Sequence, residues 1–131
     1  MAITIKSRKQ KGRLFQQEIA KRISKLLGIQ IEKDGEVESR PLPQKGTDVI
    51  LRGEALKKFP FSIEAKRTEN ISLYSWIEQA KRNKADKTNW LLFHKKNHSK
   101  AIVILSADAF FRLYDDYLLY QENYKKLVEK L

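Results

Sequence analysis

The segment Phe59–Arg67, FPFSIEAKR, constrains the fold of this chain more than any other stretch. After Pro60 its residues alternate at a period of two. Phe59, Phe61, Ile63 and Ala65 share one side, and Ser62, Glu64 and Lys66 share the other. A helix would scatter both sets around its circumference, whereas a strand sends successive side chains to opposite faces. The segment therefore predicts a strand with an apolar side to cover, and Pro60 marks its start. A single strand buries nothing alone, so the rest of the chain must supply neighbouring strands and at least one helix to pack on the sheet.

Those elements are legible at helical or strand spacing. In GRLFQQEIAKRISKLL, Leu14, Phe15, Ile19, Ile23, Leu26 and Leu27 predict a helix over residues 12–27, with Gly28 as its stop. Its polar face carries Glu18, Lys21, Arg22 and Lys25. Ile29 to Ile31 predicts a short strand, followed by a polar segment through Arg40, and just beyond it Pro41 and Pro43 argue against a central strand. After Gly46, Val49 to Leu51 forms the apolar run of a further strand, and GEALKK reads as a turn or brief helix. Residues 72–85 predict a helix with Ser72 as its cap and Leu73, Trp76, Ile77 and Ala80 as its apolar stripe. NWLLFH and residues 101–105 predict two more strands, joined by the basic turn KKNHSK. Ser106 caps a final helical region whose apolar residues run through Tyr124, Leu127, Val128 and Leu131.

The expected fold is a single compact α/β domain, a central mixed sheet flanked by helices. It spans residues 12–131 behind a basic N-terminal arm at residues 1–11. The 131 residues suffice for one core, and no apolar run is long enough to span a membrane. Cysteine is absent, so thiolate chemistry is excluded and any metal must take oxygen or imidazole ligands. That composition is compatible with a reducing cytoplasm, the expected location. The 27 Lys and Arg against 16 Asp and Glu give a formal charge of +11, which favours an anionic partner, nucleic acid first.

Glu64 and Lys66 occupy one face of their strand, and Asp48 stands at the start of the strand before it. Consecutive strands often pair, which would bring Asp48 and Glu64 together at an open end of the sheet. Two carboxylates and the backbone carbonyl of Ala65 suit Mg²⁺, with Mn²⁺ as a plausible substitute, since both take oxygen ligands. Lys66 would reach the same point, to orient or help deprotonate an attacking water or to offset charge growing on a phosphate oxygen. Hydrolysis of a phosphodiester needs this combination. Glu18 is a third carboxylate candidate, provided that its helix packs beside the strand ends. Gln79 could bind a water or a phosphate through its amide. The basic candidates for a nucleic-acid backbone are Lys9, Lys11 and Arg13 near the start, Lys81 and Arg82 on the central helix, and Lys95 and Lys96 in the turn between strands.

In this order the pieces GTDVIL and IEAK resemble the PD-(D/E)xK nuclease superfamily. The resemblance implies a restriction-endonuclease-like core, metal-binding acids at Asp48 and Glu64, and an active-site lysine at Lys66. KGRLFQQEIAKRI is similar to the first helix of the archaeal-type Holliday junction resolvases, with Glu18 matching their helical glutamate. Gln79 and Lys81 in IEQAKR look like the polar helix position that follows the lysine strand in many relatives. Ser39 is a further candidate, as a counterpart of the resolvases' loop serine. The sequence departs from the pattern at Thr47, where the superfamily usually carries a proline.

The function expected on these grounds is a divalent-metal-dependent DNA endonuclease, structure-selective for branched or four-way-junction DNA and acting as a homodimer. A nicking or end-processing nuclease working with a protein partner would use the same residues. A non-catalytic nucleic-acid-binding module would keep the basic surface and use the acids structurally. Taken singly the residues have plainer roles. Glu64 with Lys66 reads as a surface ion pair of little energetic weight, and Glu18 with Arg22 as a helical i,i+4 pair. His94 and His98 are expected in solvent, and Trp76 and Trp90 in the core.

Overall fold

The computed structural model describes residues 4–41 and 46–131. The first three residues of the expected arm, and Pro43, lie outside the described residues.

Helix α1 (Ile5–Leu27) begins ahead of Gly12. Thr4 caps it, its side chain accepting a hydrogen bond from the Ser7 backbone N–H at 3.1 Å. No breaker stands between Thr4 and Gly12, and Gly12 faces open space, so the helix runs through it. Lys6, Arg8, Lys9 and Lys11 therefore project from a helix, not from an extended arm. Gly28 ends it in the left-handed conformation at φ 69°.

The predicted strand at Ile29 to Ile31 is reduced to one isolated bridge between Ile31 and Val37. The first strand is instead β1 (Val37–Ser39), inside the segment read as polar. Val37 is fully buried against α1 and anchors it. Then follow β2 (Val49–Leu51), the short helix α2 (Gly53–Lys58), β3 (Phe61–Arg67), α3 (Leu73–Asn83), β4 (Asn89–Lys95), β5 (Ile102–Ile104) and α4 (Ala107–Glu129). Ser72 precedes α3 without making a side-chain cap, whereas Ser106 does cap α4, accepting from Ala109 N–H at 3.0 Å.

The strands form one mixed sheet in the order β1-β2-β3-β4-β5. Neighbours pair antiparallel except β3 and β4, which run parallel over the register Phe61↔Asn89 to Arg67↔Lys95. A parallel pair needs a crossover, and α3 supplies it. The alternation of β3 separates two layers. Phe61 and Ile63 join Phe15, Ile19, Ala20 and Ile23 of α1 in the main core, with Val37, Val49, Leu51 and Leu91. Ser62 and Glu64 point to the opposite face, under α3. There Trp76, Ala80 and Leu92 are buried too. This is a small α/β domain with a restriction-endonuclease-like arrangement, a mixed five-stranded sheet between helices. Among the described residues no helix is long and apolar enough to cross a membrane.

Candidate active site

The end of β2 and the middle of β3 bring Asp48 and Glu64 together. Asp48 N–H donates to the Ile63 carbonyl at 2.8 Å, while Val49 is itself registered opposite Ile63. Two residues against one is the arrangement of a β-bulge, which re-aims a side chain. On the other side, the Asp48 carbonyl accepts from Arg40 N–H at 2.8 Å, fixing the bulge to the end of β1. The aimed carboxylate accepts from Ala65 N–H through Oδ2 at 2.7 Å. It thus takes the place of a strand acceptor past the end of the β2 ladder. A strand residue directs its N–H and C=O to the same neighbour, so the Ala65 carbonyl faces the same side as Asp48.

Glu64 lies on the α3 face and is 2% exposed. Its Oε1 accepts from Asn83 Nδ2 at 2.9 Å. Burial, then the neighbouring Asp48 charge, push the Glu64 carboxyl up to about 7, against the partial relief of Asn83 and Lys66. Asp48 is raised as well, chiefly by burial, with the Ala65 N–H, the Glu64 carboxyl, Lys66 and Arg40 pulling the other way. The two acids act on each other's titration, as like carboxyls in one site do. A divalent cation would offset both charges. The donor set fits such an ion: two carboxylates and a turned-in carbonyl, all hard oxygens, leave the rest of the coordination to water and phosphate oxygens, the usual manner of Mg²⁺.

Lys66, two residues beyond Glu64 on the same face, donates from Nζ to Gln79 Oε1 at 2.6 Å. Gln79 and Asn83 are four residues apart on α3, hence on one helical face, and between them they hold Lys66 and Glu64. The surface-pair reading of Glu64 and Lys66 fails here, because α3 covers the acid and a glutamine holds the base.

Glu18 does not join this constellation. It is exposed and lines a small recess with Lys11, Leu14, Phe15, Arg67 and Lys95, on the α1 side of the sheet. Among the described residues no group of three or more acids or histidines could hold a metal. Ser39 is engaged elsewhere as well: its hydroxyl accepts from Gln16 Nε2 at 2.8 Å, and the same amide donates to the Arg40 carbonyl at 2.7 Å. Gln16 is buried and ties α1 to the strand end that carries Arg40, whose backbone N–H in turn holds Asp48.

The basic residues divide among several surfaces. Lys9 and Lys11 line a recess of about 570 Å³ with Arg8, Arg67, Trp76 and Asn97, immediately past Lys66 along β3. Asn97 Oδ1 accepts from Arg67 Nη2 at 2.7 Å and from Lys11 Nζ at 3.2 Å, which fixes both cations at its rim. Lys95 stands in the Glu18 recess, and Arg13 in a shallow one with Ile5, Lys6 and Gln10. Lys81 is paired with Glu78 at 3.6 Å, while Arg82 and Lys96 are exposed. His94 is not in solvent. It is 3% exposed, in register with Lys66, packed on Trp76 at 5.2 Å and hydrogen-bonded through Nε2 to the Thr68 carbonyl at 2.9 Å. It fixes the turn after β3, which sets where the lysine strand ends.

Asn83, Gln16 and Arg40 were not foreseen as parts of the site. Asn83 carried a usable signal, its i,i+4 relation to Gln79. Gln16 carried another, as a polar residue next to Phe15 and one turn from Ile19 and Ala20. Arg40 had none.

Compared with known proteins, residues 7–129 match a protein-family model described as "Phage putative PDDEXK endonuclease". No curated protein and no solved structure matches the chain.

Proposed function

The chain belongs to the phage PDDEXK endonuclease family, and on that premise we propose that it is a divalent-metal-dependent endodeoxyribonuclease whose reaction centre is Asp48, Glu64 and Lys66. The observation that carries this reading is the buried Glu64 carboxyl, raised by burial and by the neighbouring Asp48, beside a lysine steered by Gln79. Asp48, Glu64 and the Ala65 carbonyl would hold Mg²⁺, with Mn²⁺ as substitute. Bound there, the ion supplies Lewis-acid activation of the phosphate and a more acidic water.

The chain's own groups then account for the rest. Lys66, as the ammonium, orients the attacking water and offsets charge on the phosphate oxygens, and the proton the water sheds passes to bulk solvent. Water oxygen bonds to phosphorus, the bond to the leaving sugar oxygen breaks, and that oxygen takes up a proton, leaving a phosphate monoester and a free hydroxyl. Gln79 keeps the Lys66 ammonium at the site, and Asn83 holds the Glu64 carboxyl in orientation. The cations of the Lys9–Lys11–Arg67 recess carry the DNA backbone past the strand end, a contact that positions without reading sequence.

Among the described residues no known base-reading motif stands out, which favours selection of DNA by shape. The similarity of α1 to the archaeal-type resolvases makes branched or four-way-junction DNA the first substrate to try, with a homodimer cutting two strands. Cleavage of labelled four-way-junction, nicked and linear duplex DNA with Mg²⁺ or EDTA tests the whole reading, with E64Q as control. Paired, Mg²⁺-dependent cuts near the junction centre, absent in E64Q, are expected. Cutting confined to nicks or ends would replace the junction reading with an end-processing one. Binding without any cut, in Mn²⁺ also, would leave a DNA-binding module.

A further inference from the structure

Helix α4 carries an apolar seam that its own domain leaves open. Phe110, Leu113, Tyr117, Tyr120, Tyr124 and Leu127, with Leu131 just past the helix end, recur at alternating steps of three and four, the spacing of a coiled-coil seam. All are exposed, from 47% at Phe110 to 68% at Tyr120 and 100% at Leu131, and Ala109 is the helix's buried residue among those described. Its aromatic contacts stay within the helix, as between Tyr114 and Tyr117 at 5.7 Å and between Tyr120 and Tyr124 at 6.3 Å. An uncovered apolar face of this extent marks an interaction surface.

We propose that α4 pairs with the α4 of a second copy of this chain, antiparallel, about a twofold axis that falls between Tyr120 and Tyr124. In that register Tyr120 packs on the partner's Tyr124, Tyr117 on the partner's Leu127, and Leu113 on the partner's Leu131. Every layer is apolar, and each occurs twice by symmetry.

The charges beside the seam select this arrangement. Asp116 and Lys130 flank the seam on the same side, and the antiparallel setting places Asp116 of each copy against Lys130 of the other. Asn123 then meets its own symmetry mate. A parallel pair sets Asp116 across from Gln121 and makes neither ion pair, and an antiparallel shift by one heptad sets Asp116 across from Asn123. At roughly 100 Å² for each of the six seam side chains that find a partner, each copy covers roughly 600 Å². This lies somewhat below the ~800 Å² per partner of a standard stable interface. The pairing rests on α4 alone and not on the carboxylate site, so the two readings fail separately.

Sedimentation equilibrium and light scattering on the full chain test it, with circular dichroism to verify helix content. The expected mass is twice 15.4 kDa. Asp116→Lys and Lys130→Asp, each opposing like charges at both ends of the seam, should each weaken the dimer roughly tenfold. An equimolar mixture of the two, or the D116K/K130D double variant, should recover it. Tyr120→Glu should give a monomer of unchanged helicity. A wild-type chain that stays monomeric at high concentration would overturn the proposal. So would a dimer that the single charge reversals leave unchanged, or one that the mixture does not restore.

Discussion

Lys66 Nζ and Gln79 Oε1 are 2.6 Å apart, and the bond joins the strand carrying the catalytic candidates to the helix that covers them. Gln79 accepts the lysine's hydrogen bond, so its task is to aim a cation. Replacing it should leave the charge in place and spoil its aim. Gln79→Ala is therefore expected to lower kcat roughly tenfold with little change in KM, within the range seen for groups that orient a metal-site residue. Lys66→Ala should abolish cleavage. If Gln79→Ala instead raises KM at unchanged kcat, the glutamine serves substrate binding.

The carboxyl pair predicts an unusual pH dependence of the metal-free protein. Glu64 is held up to about 7 in the folded state, mainly by burial and then by Asp48, against an ordinary value near 4.5 when unfolded. Between these values the folded chain binds the extra proton, so stability falls as pH rises through that window. In EDTA, Tm should decline from about pH 5 to pH 7.5, and Mg²⁺ should recover much of the loss at the upper end. Glu64→Gln removes the repulsion and should flatten the profile. A wild-type Tm that rises over this range in EDTA would contradict the close pairing of Asp48 and Glu64.

Gly46 has φ 126°, and an added Cβ would lie 2.7 Å from an Arg40 guanidinium nitrogen. That guanidinium also donates from Nε to the Thr47 carbonyl at 2.5 Å, next to Asp48. Gly46→Ala must displace the arginine and strain the backbone, at a cost of about 1–3 kcal/mol. Both Tm and cleavage are expected to fall together. A variant that keeps wild-type Tm and rate would show that Arg40 does not set the Asp48 bulge.

Lys11 and Arg67 are fixed at the recess rim by Asn97. If they neutralise backbone phosphates, each alanine substitution should reduce the slope of log K against log salt by about 0.9. Lys57→Ala is the comparison, since α2 joins the opposite ends of β2 and β3, and its slope should match wild type. Equal slopes for all variants would move the DNA path off this recess.

Much of this architecture could be read from period alone. The alternation in FSIEAKR gave β3 its two faces, and the 3.6-residue spacing gave α1, α3 and α4. What escaped was set by tertiary context. Val37 forms a strand because it is buried against α1, although its neighbours Glu36, Glu38 and Ser39 carry no strand pattern. His94 is buried because α3 lays Trp76 over it, which no local pattern encodes. Asp48, Glu64 and Lys66 are brought together as the pairing of consecutive strands suggested, and Gln79 joins them through Lys66. Glu18 does not, because the face of α1 that packs on the sheet is fixed by Phe15, Ile19 and Ile23, and this leaves position 18 over Arg67 and Lys95. Asn83 is signalled only by its i,i+4 relation to Gln79, at the end of α3.

The bulge at Asp48 makes the aim of that carboxylate depend on how many residues lie between β1 and β3, and not only on which residues they are. Side chains alternate with a period of two, so losing Val49, one of the two residues set against Ile63, would regularise the ladder and swing the aspartate to the opposite face. Every motif letter would survive such a deletion. A family member with an intact aspartate and one residue fewer here would be a silent casualty, inactive in a way that no comparison of residue identities would reveal.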